Sequence, residues 1–339
     1  MKKILPIILT LFLAVSVFAG DESRKGTTGA EELLIPVGAR GIATGGAFVA
    51  NLTGLESLFY NPAGLDVVPR TEAMFSYTNY LADINISYFA IGTSLGDFGS
   101  IAFDLKAFDF GDIPITTVQF PDGTGQNYSP SFITFGISYS KVLTDRISIG
   151  TNFKFISESI QSTNATGFAV DAGVQYSFYS GLKLGVTVKN IGTNMQFSGQ
   201  DLNTRTDIPG STIGSADGTF QIVAETFQIP SFFELALTYD VNINEQNNVL
   251  LASTFVANNA FEDVMNFGLE YGFTNTFFVR GGYNVLLENT SDSIYGLTLG
   301  AGVDYKAGND LSIIFDYAYR DIKEFPTSNH IFTVKLAFE

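Results

Sequence analysis

From about residue 70 onward, apolar and polar side chains alternate with a period of two in one segment after another. Ile147, Ile149, Phe153 and Phe155 are interleaved with Arg146, Ser148, Gly150, Asn152 and Lys154. Leu182, Leu184, Val186 and Val188 alternate with Lys183, Gly185, Thr187 and Lys189. Tyr295, Leu297, Leu299, Ala301, Val303 and Tyr305 alternate with Gly296, Thr298, Gly300, Gly302 and Asp304, and Leu311, Ile313, Phe315 and Tyr317 with Ser312, Asp316 and Ala318. Successive side chains of a strand point to opposite faces, so each segment has one apolar face and one polar or small face. The pattern predicts fourteen strands: 72–81, 84–95, 98–108, 131–142, 146–158, 165–178, 182–191, 231–241, 247–257, 263–273, 276–285, 294–306, 310–320 and 330–338.

A soluble sandwich shares this alternation, so the connections decide. Tight ones at Gly96-Asp97, Thr144-Asp145, Tyr179-Ser180-Gly181, Asn242 to Gln246, Thr274-Asn275 and Ala307-Gly308-Asn309 take turns with longer ones at 109–130, 192–230, 286–293 and 321–329. Three on the long side are short: Ala82-Asp83, Ser159 to Asn164 and Asn258 to Glu262. Short turns on one side and long loops on the other mark a transmembrane β-barrel inserted from the periplasm, and an even strand count brings both ends back to that side. The apolar face is dense in Phe, Leu, Ile and Tyr, as lipid demands, while the polar face is rich in Gly, Ser and Thr, as a lumen allows. Tyr77, Tyr80, Tyr139, Tyr176, Tyr239, Tyr283 and Tyr319, near strand ends, are expected in the interfacial girdles. The expected fold class is therefore all-β, a transmembrane antiparallel barrel of about 14 strands with an N-terminal luminal hatch or plug.

Composition agrees. Charged residues make up 15% of the 339, against about 25% in soluble proteins, while Gly (34) and Phe (32) are abundant. The only long apolar run, Ile4 to Ala19, is short for a membrane span of roughly 20 residues and is broken by Pro6. Behind Lys2 and Lys3, and ending in Val17-Phe18-Ala19, it reads as a secretory signal peptide over residues 1–20. Its removal takes the formal charge from −16 to −18, which excludes nucleic acid as a bulk partner. With no cysteine, lipidation at the cleavage site, disulfides and thiolate chemistry are all excluded.

Residues 21–70 do not alternate and are assigned to the hatch, leaving 71–339 for the barrel. Gly38-Ala39-Arg40-Gly41-Ile42-Ala43-Thr44-Gly45-Gly46-Ala47-Phe48 leads to Asn61-Pro62-Ala63-Gly64-Leu65. No strand–loop–helix context or phosphate-binding lysine accompanies these glycines, so a nucleotide loop is excluded. They suit close packing and positive φ, and Pro62 fixes a turn after Asn61.

The signal peptide, the Ala-Arg-Gly-x-x-x-Gly-Gly-Ala stretch and the Asn-Pro-Ala-Gly-Leu turn together resemble the FadL superfamily, and within it the PorV/PorQ branch. The motifs span roughly residues 33–70, with Arg40, Gly41, Gly45, Gly46, Asn61, Pro62, Ala63 and Gly64 carrying the likeness. The resemblance implies a hatch inside a fourteen-stranded barrel in the cell outer membrane of a Gram-negative-type envelope. Lipid and the barrel-assembly machinery would be its partners there. The alternating Phe332, Val334, Leu336 and Phe338 resemble the C-terminal signal that this machinery reads, although Glu339 follows the aromatic. For function, the PorV/PorQ branch implies a non-enzymatic component of type IX-like protein secretion that binds cargo with C-terminal sorting domains. The alternative is a FadL-like transporter of long-chain fatty acids or other hydrophobic small molecules. A plain porin is disfavoured, because an open channel gains nothing from a plug.

Catalytic chemistry finds little support. The lone histidine, His330, lies at the start of the last strand and is expected at the barrel rim. Asp201, Asp207 and Asp217 lack the spacing of a calcium loop, and no metal or cofactor is expected. Strand parity points Asp104, Lys106, Lys154, Asp171, Lys183, Lys189, Glu234, Glu270, Arg280, Asp304, Asp316, Arg320 and Lys335 into the lumen, with mixed signs that suit pairing with one another and with the hatch. For a hydrophobic ligand, Phe108, Phe110, Phe120, Phe197, Phe220 and Phe227 are the candidate lining.

Overall fold

A computed structural model describes residues 26–338 except 211, 213–215, 290–292, 309 and 324. The signal peptide lies outside the described residues. Fourteen long strands follow the chain: β1 (Thr71–Asn79), β2 (Asn85–Ser94), β3 (Ser100–Asp109), β4 (Ser131–Val142), β5 (Ile147–Ile160), β6 (Thr163–Ser177), β7 (Leu182–Gly192), β8 (Phe232–Asn244), β9 (Asn247–Asn258), β10 (Val264–Phe273), β11 (Phe277–Leu286), β12 (Tyr295–Lys306), β13 (Leu311–Ile322) and β14 (Asn329–Phe338). Each pairs antiparallel with its neighbours in sequence. The ring closes where β1 pairs with β14, from Thr71 opposite Phe338 to Asn79 opposite His330. Closure removes every sheet edge, as a lipid environment requires.

The period-2 pattern maps onto this ring. Phe75, Phe89, Phe103, Phe153, Phe168 and Phe315 point outward and stay exposed, while Ser76, Asp104, Asn152, Lys154, Asp171 and Asp316 on the opposite register are buried. The end at which β1 begins and β14 finishes has only short turns. The other, here the outer end, carries the long connections at 110–130 and 193–231, each with its own short hairpin.

Several strand ends run past the sequence reading for the same reason. β5 and β6 extend to a two-residue turn at 161–162 and remain paired through Ile160 and Thr163, although Ser157 to Asn164 carry little apolar signal. β8 likewise runs on to Asn244. Backbone ladders continue past the lipid-facing zone, where alternation fades.

Parity itself fails at one place. Between Tyr295 and Thr298, β12 holds one residue more than β13 opposite it, where Ile322 and Arg320 are the partners. This bulge reverses the side to which Tyr295 points, so it joins the interior and not the outward set. Tyr80 turns in as well, its hydroxyl 2.8 Å from that of Tyr295. Neither belongs to the girdle. His330 does sit at the outer rim, exposed and bonded through Nδ1 to the Tyr317 hydroxyl at 2.8 Å.

Candidate functional site: a hatch and the chamber above it

The N-terminal segment forms five short helical turns: Glu31–Leu34, Ala39–Ala43, Gly54–Glu56, Ser57–Tyr60 and Pro62–Gly64. Helices this short leave most of their backbone groups unpaired. The wall supplies partners. Thr298 Oγ1 donates to the Ala43 carbonyl (3.0 Å), Asn284 Nδ2 to Gly45 (2.7 Å), Thr254 Oγ1 to Ala47 (2.9 Å) and Ser140 Oγ to Ala63 (3.0 Å). Gln175 Nε2 donates to the carbonyls of Val49 and Leu52 at 3.2 and 3.1 Å. In the other direction, the Ala39 N–H donates to Thr333 Oγ1 at 2.9 Å and the Leu55 N–H to Glu72 Oε2 at 2.7 Å. The Ser, Thr and Asn residues of the luminal register are thus the hydrogen-bond complement of the hatch.

Shape follows the same rule. Asn61 caps its turn by accepting from the Ala63 N–H at 3.1 Å, and its Nδ2 donates to the Val174 carbonyl, also at 3.1 Å. A Cβ on Gly150 would come within 2.3 Å of Pro62, and one on Gly173 within 2.1 Å of Asn61 Oδ1. Only glycine at these wall positions admits the Asn-Pro-Ala turn. Apolar contacts complete the seat: Phe48 and Leu52 pack against Ala236 and Leu250, and Leu55 and Leu58 against Met74, Tyr88 and Ala102.

Charge is handled by a relay of alternating sign. Asp316 accepts from Arg280, whose Nε lies 2.5 Å from Glu270. Glu270 accepts a fork from Arg40, at 2.9 Å from Nε and 2.8 Å from Nη2. Arg40 reaches Glu56 at 3.4 Å, Glu56 meets Lys335 at 3.3 Å, and Lys335 reaches Glu72, itself paired with Arg70 at 2.7 Å. Four cations and four anions alternate along this chain. Two of them, Arg40 and Glu56, belong to the hatch and the rest to the wall or its entry. Burial works against ionising Glu56, but Lys335 and Arg40 outweigh it and hold the carboxyl at about 2. Burial likewise opposes the Arg40 cation, and Glu270 and Glu56 more than restore it, so Arg40 titrates above its ordinary value.

Toward the outer end the packing opens. One cavity of 440 Å³ lies over Gly45, Gly46, Phe59 and Tyr60, walled by Phe232, Val256, Val264 and Leu286. A second, of 520 Å³, is walled by Ile35, Phe108, Phe110 and Phe132, with Glu32 and Glu158 on its surface. Leu34, Pro36, Phe261, Ile294, Tyr295 and Arg320 border both. Arg320 stacks on the Tyr295 ring at 3.5 Å and makes no ion pair among the described residues. Lys189 at the lower wall sits 4.0 Å from the Phe59 ring centroid and 4.0 Å from Glu234.

Each residue singled out in the sequence can now be placed. Arg40 and Asn61 to Gly64 seat the hatch, Gly41 faces the Tyr60 ring, and Gly45 and Gly46 form a cavity floor. Phe108 and Phe110 line the larger cavity. Phe197 and Phe227 lie 5.8 Å apart and cover the cluster of Leu33, Ile156, Met195 and Ile229, where the 193–231 loop folds onto the hatch. Phe120 and Phe220 are exposed on the outer loops, away from either cavity. Asp201 caps the β5–β6 turn by accepting from the Ser162 N–H at 2.8 Å, while Asp207 and Asp217 are exposed. Among the described residues, no three His, Asp or Glu side chains gather as metal ligands.

Sequence reasoning missed Phe132, Phe232, Val256, Val264 and Leu286. Their signal was present: each is an apolar residue on the polar register, near the outer end of its strand.

The fold has counterparts of known structure. The P. putida toluene transporter TodX is 13% identical with a TM-score of 0.54, over 89% of this chain and 97% of that one. CymD, a monoaromatic hydrocarbon channel, is 12% identical with a TM-score of 0.54, over 90% and 97%. A Pseudomonas aeruginosa FadL homologue is 12% identical with a TM-score of 0.55, over 90% and 98%. The fold is that of a FadL-like barrel. No family model matches the chain, and no curated protein is similar to it in sequence. The two cavities and the hatch beneath them form the candidate site, with the hatch bonded to the wall on the side of the short turns.

Proposed function

We propose that the protein is an outer-membrane channel for hydrophobic small molecules, in which a solute enters between the outer loops and rests in the chamber above the hatch. The observation that carries this reading is the pair of adjoining cavities above the hatch, each with a cluster of Phe, Leu, Ile and Val on its wall and a smaller set of polar and charged groups beside it. Such cavities are the usual form of small-molecule sites, apolar with a few placed polar groups. The solved structures of similar fold, titled as a toluene transporter and a hydrocarbon channel, support the same class of cargo.

Uptake of a radiolabelled monoaromatic hydrocarbon and of a radiolabelled long-chain fatty acid tests it, in cells that depend on this barrel for entry. Expression should raise the uptake of at least one of them, and Val256→Trp, which fills the smaller cavity, should cut that gain several-fold while the barrel still folds. Uptake equal to that of cells lacking the protein, or unchanged by Val256→Trp, would refute the reading.

A second reading, a PorV/PorQ-type secretion component, rests on the Arg40 to Phe48 stretch and on the apolar Ile208, Phe220, Ile222 and Val223 exposed on the outer hairpin. Mass spectrometry of the gently extracted protein separates the two. Secreted proteins sharing a C-terminal domain would favour this reading, and a bound apolar molecule the first.

A further inference from the structure

The larger cavity is not uniformly apolar. Glu32 of the hatch and Glu158 of β5 meet at its wall. They are 8% and 4% exposed, their carboxyls lie within hydrogen-bond reach of each other, and with both ionised the Oε1 atom of each has no donor. Neither makes an ion pair among the described residues. Lys106 is close but committed elsewhere: its Nζ donates to the backbone carbonyls of Glu32 and Ile35, at 2.6 and 2.5 Å. Burial raises the Glu32 carboxyl from its ordinary value and outweighs the opposing pull of the nearby Lys106 cation.

Aromatic rings stand beside this acid pair. Phe110 stacks on Phe108 with centroids 6.1 Å apart and meets Phe132 edge-on at 4.9 Å. Across the cavity, the Tyr80 and Tyr295 hydroxyls bond to each other and Arg320 covers the Tyr295 ring. Of the other charged groups on this cavity, Glu31 adds to the negative side and Arg320 stands with the tyrosines. Carboxylate oxygens accept hydrogen bonds and cannot donate them when ionised, and ring faces attract cations.

We infer that the larger cavity is built for an apolar molecule ending in a protonated amine, with Glu32 and Glu158 receiving the ammonium and Phe108, Phe110 and Phe132 the adjoining carbons. This rests on the chamber being a solute site and names the class of solute. The ammonium supplies the donors that the two Oε1 atoms lack. A carboxylate of the same length meets like charge at this pole, and an alcohol supplies only one donor and no charge.

Calorimetric titration of the full chain in nanodiscs with 4-phenylbutylamine, 4-phenylbutanol and 4-phenylbutyrate tests the assignment. The amine should bind about tenfold more tightly than the alcohol, the scale of one charge-assisted hydrogen bond, and the carboxylate most weakly. Glu158→Gln should erase the preference for the amine and leave alcohol binding in place, which also reports that the variant is folded. If that variant fails to fold, Glu32→Gln serves in its place. Equal affinities for amine and alcohol, or a preference that survives both substitutions, would overturn this inference and leave the channel reading standing. Binding of none of the three would overturn both.

Discussion

The two halves of the lumen are built on opposite principles. In the hatch half, the wall's threonines, serines and amides meet exposed carbonyls of the short helices, wall glycines make room for the Asn61-Pro62 turn, and eight charges neutralise one another in a chain. In the outer half, two cavities remain open, Arg320 stacks on Tyr295 without an ion pair among the described residues, and the acid pair has oxygens without a donor. The hatch and the wall fill the lower half, whereas the upper half keeps two cavities, so the upper half is where a ligand has room to bind. The lower half is occupied by the hatch; the upper half keeps space.

Breaking the lower half should have the largest effect. Glu270→Ala leaves Arg40 and Arg280 buried against each other, and loss of one partner from a buried pair costs about 3–5 kcal/mol. The expected outcome is a lower unfolding midpoint in detergent and steady conductance in planar bilayers where the native protein is silent. A native-like midpoint and a silent bilayer would mean that the relay does not hold the hatch.

Acid should sharpen the comparison more gently. The Glu56 carboxyl is held below its ordinary 4.5, at about 2, so its contribution to stability is complete above 4.5 and is lost as the pH falls toward about 2. The melting temperatures of the native protein and Glu56→Gln should therefore differ at pH 6 and converge on acidification through that window. A difference that stays constant down to pH 2 would contradict the ion-pair account.

Much of this contrast was legible in the residues. Period-2 alternation gave the wall, its parity placed Lys154, Glu234, Arg280 and Lys335 inside, and the turn-and-loop rhythm gave the orientation. Pairing among these charges was expected from their mixed signs, but its order was not, because Arg40 and Glu56 meet Glu270 and Lys335 only once the chain has closed into a ring. Tyr295 escaped for a local reason: a bulge is a property of two strands in register, and neither strand alone announces it. Phe108 and Phe110 were found as loop-adjacent aromatics, whereas Phe197 and Phe227 looked equivalent and were taken up by the returning loop. Glu32 carried no signal at all, since the hatch has no period to give its residues a side.

On the proposed reading, an apolar solute occupies the chamber while the hatch remains seated below it. The chain has no cysteine, so single cysteines report cleanly on either region. Phe132→Cys and Leu286→Cys in the chamber, with Val223→Cys on the outer loop as reference, would be labelled with a small maleimide with and without toluene. Labelling should be slower at both chamber positions when the solute is present and unchanged in rate on the loop. Equal rates in the chamber with and without solute, under conditions where uptake is saturated, would contradict that reading.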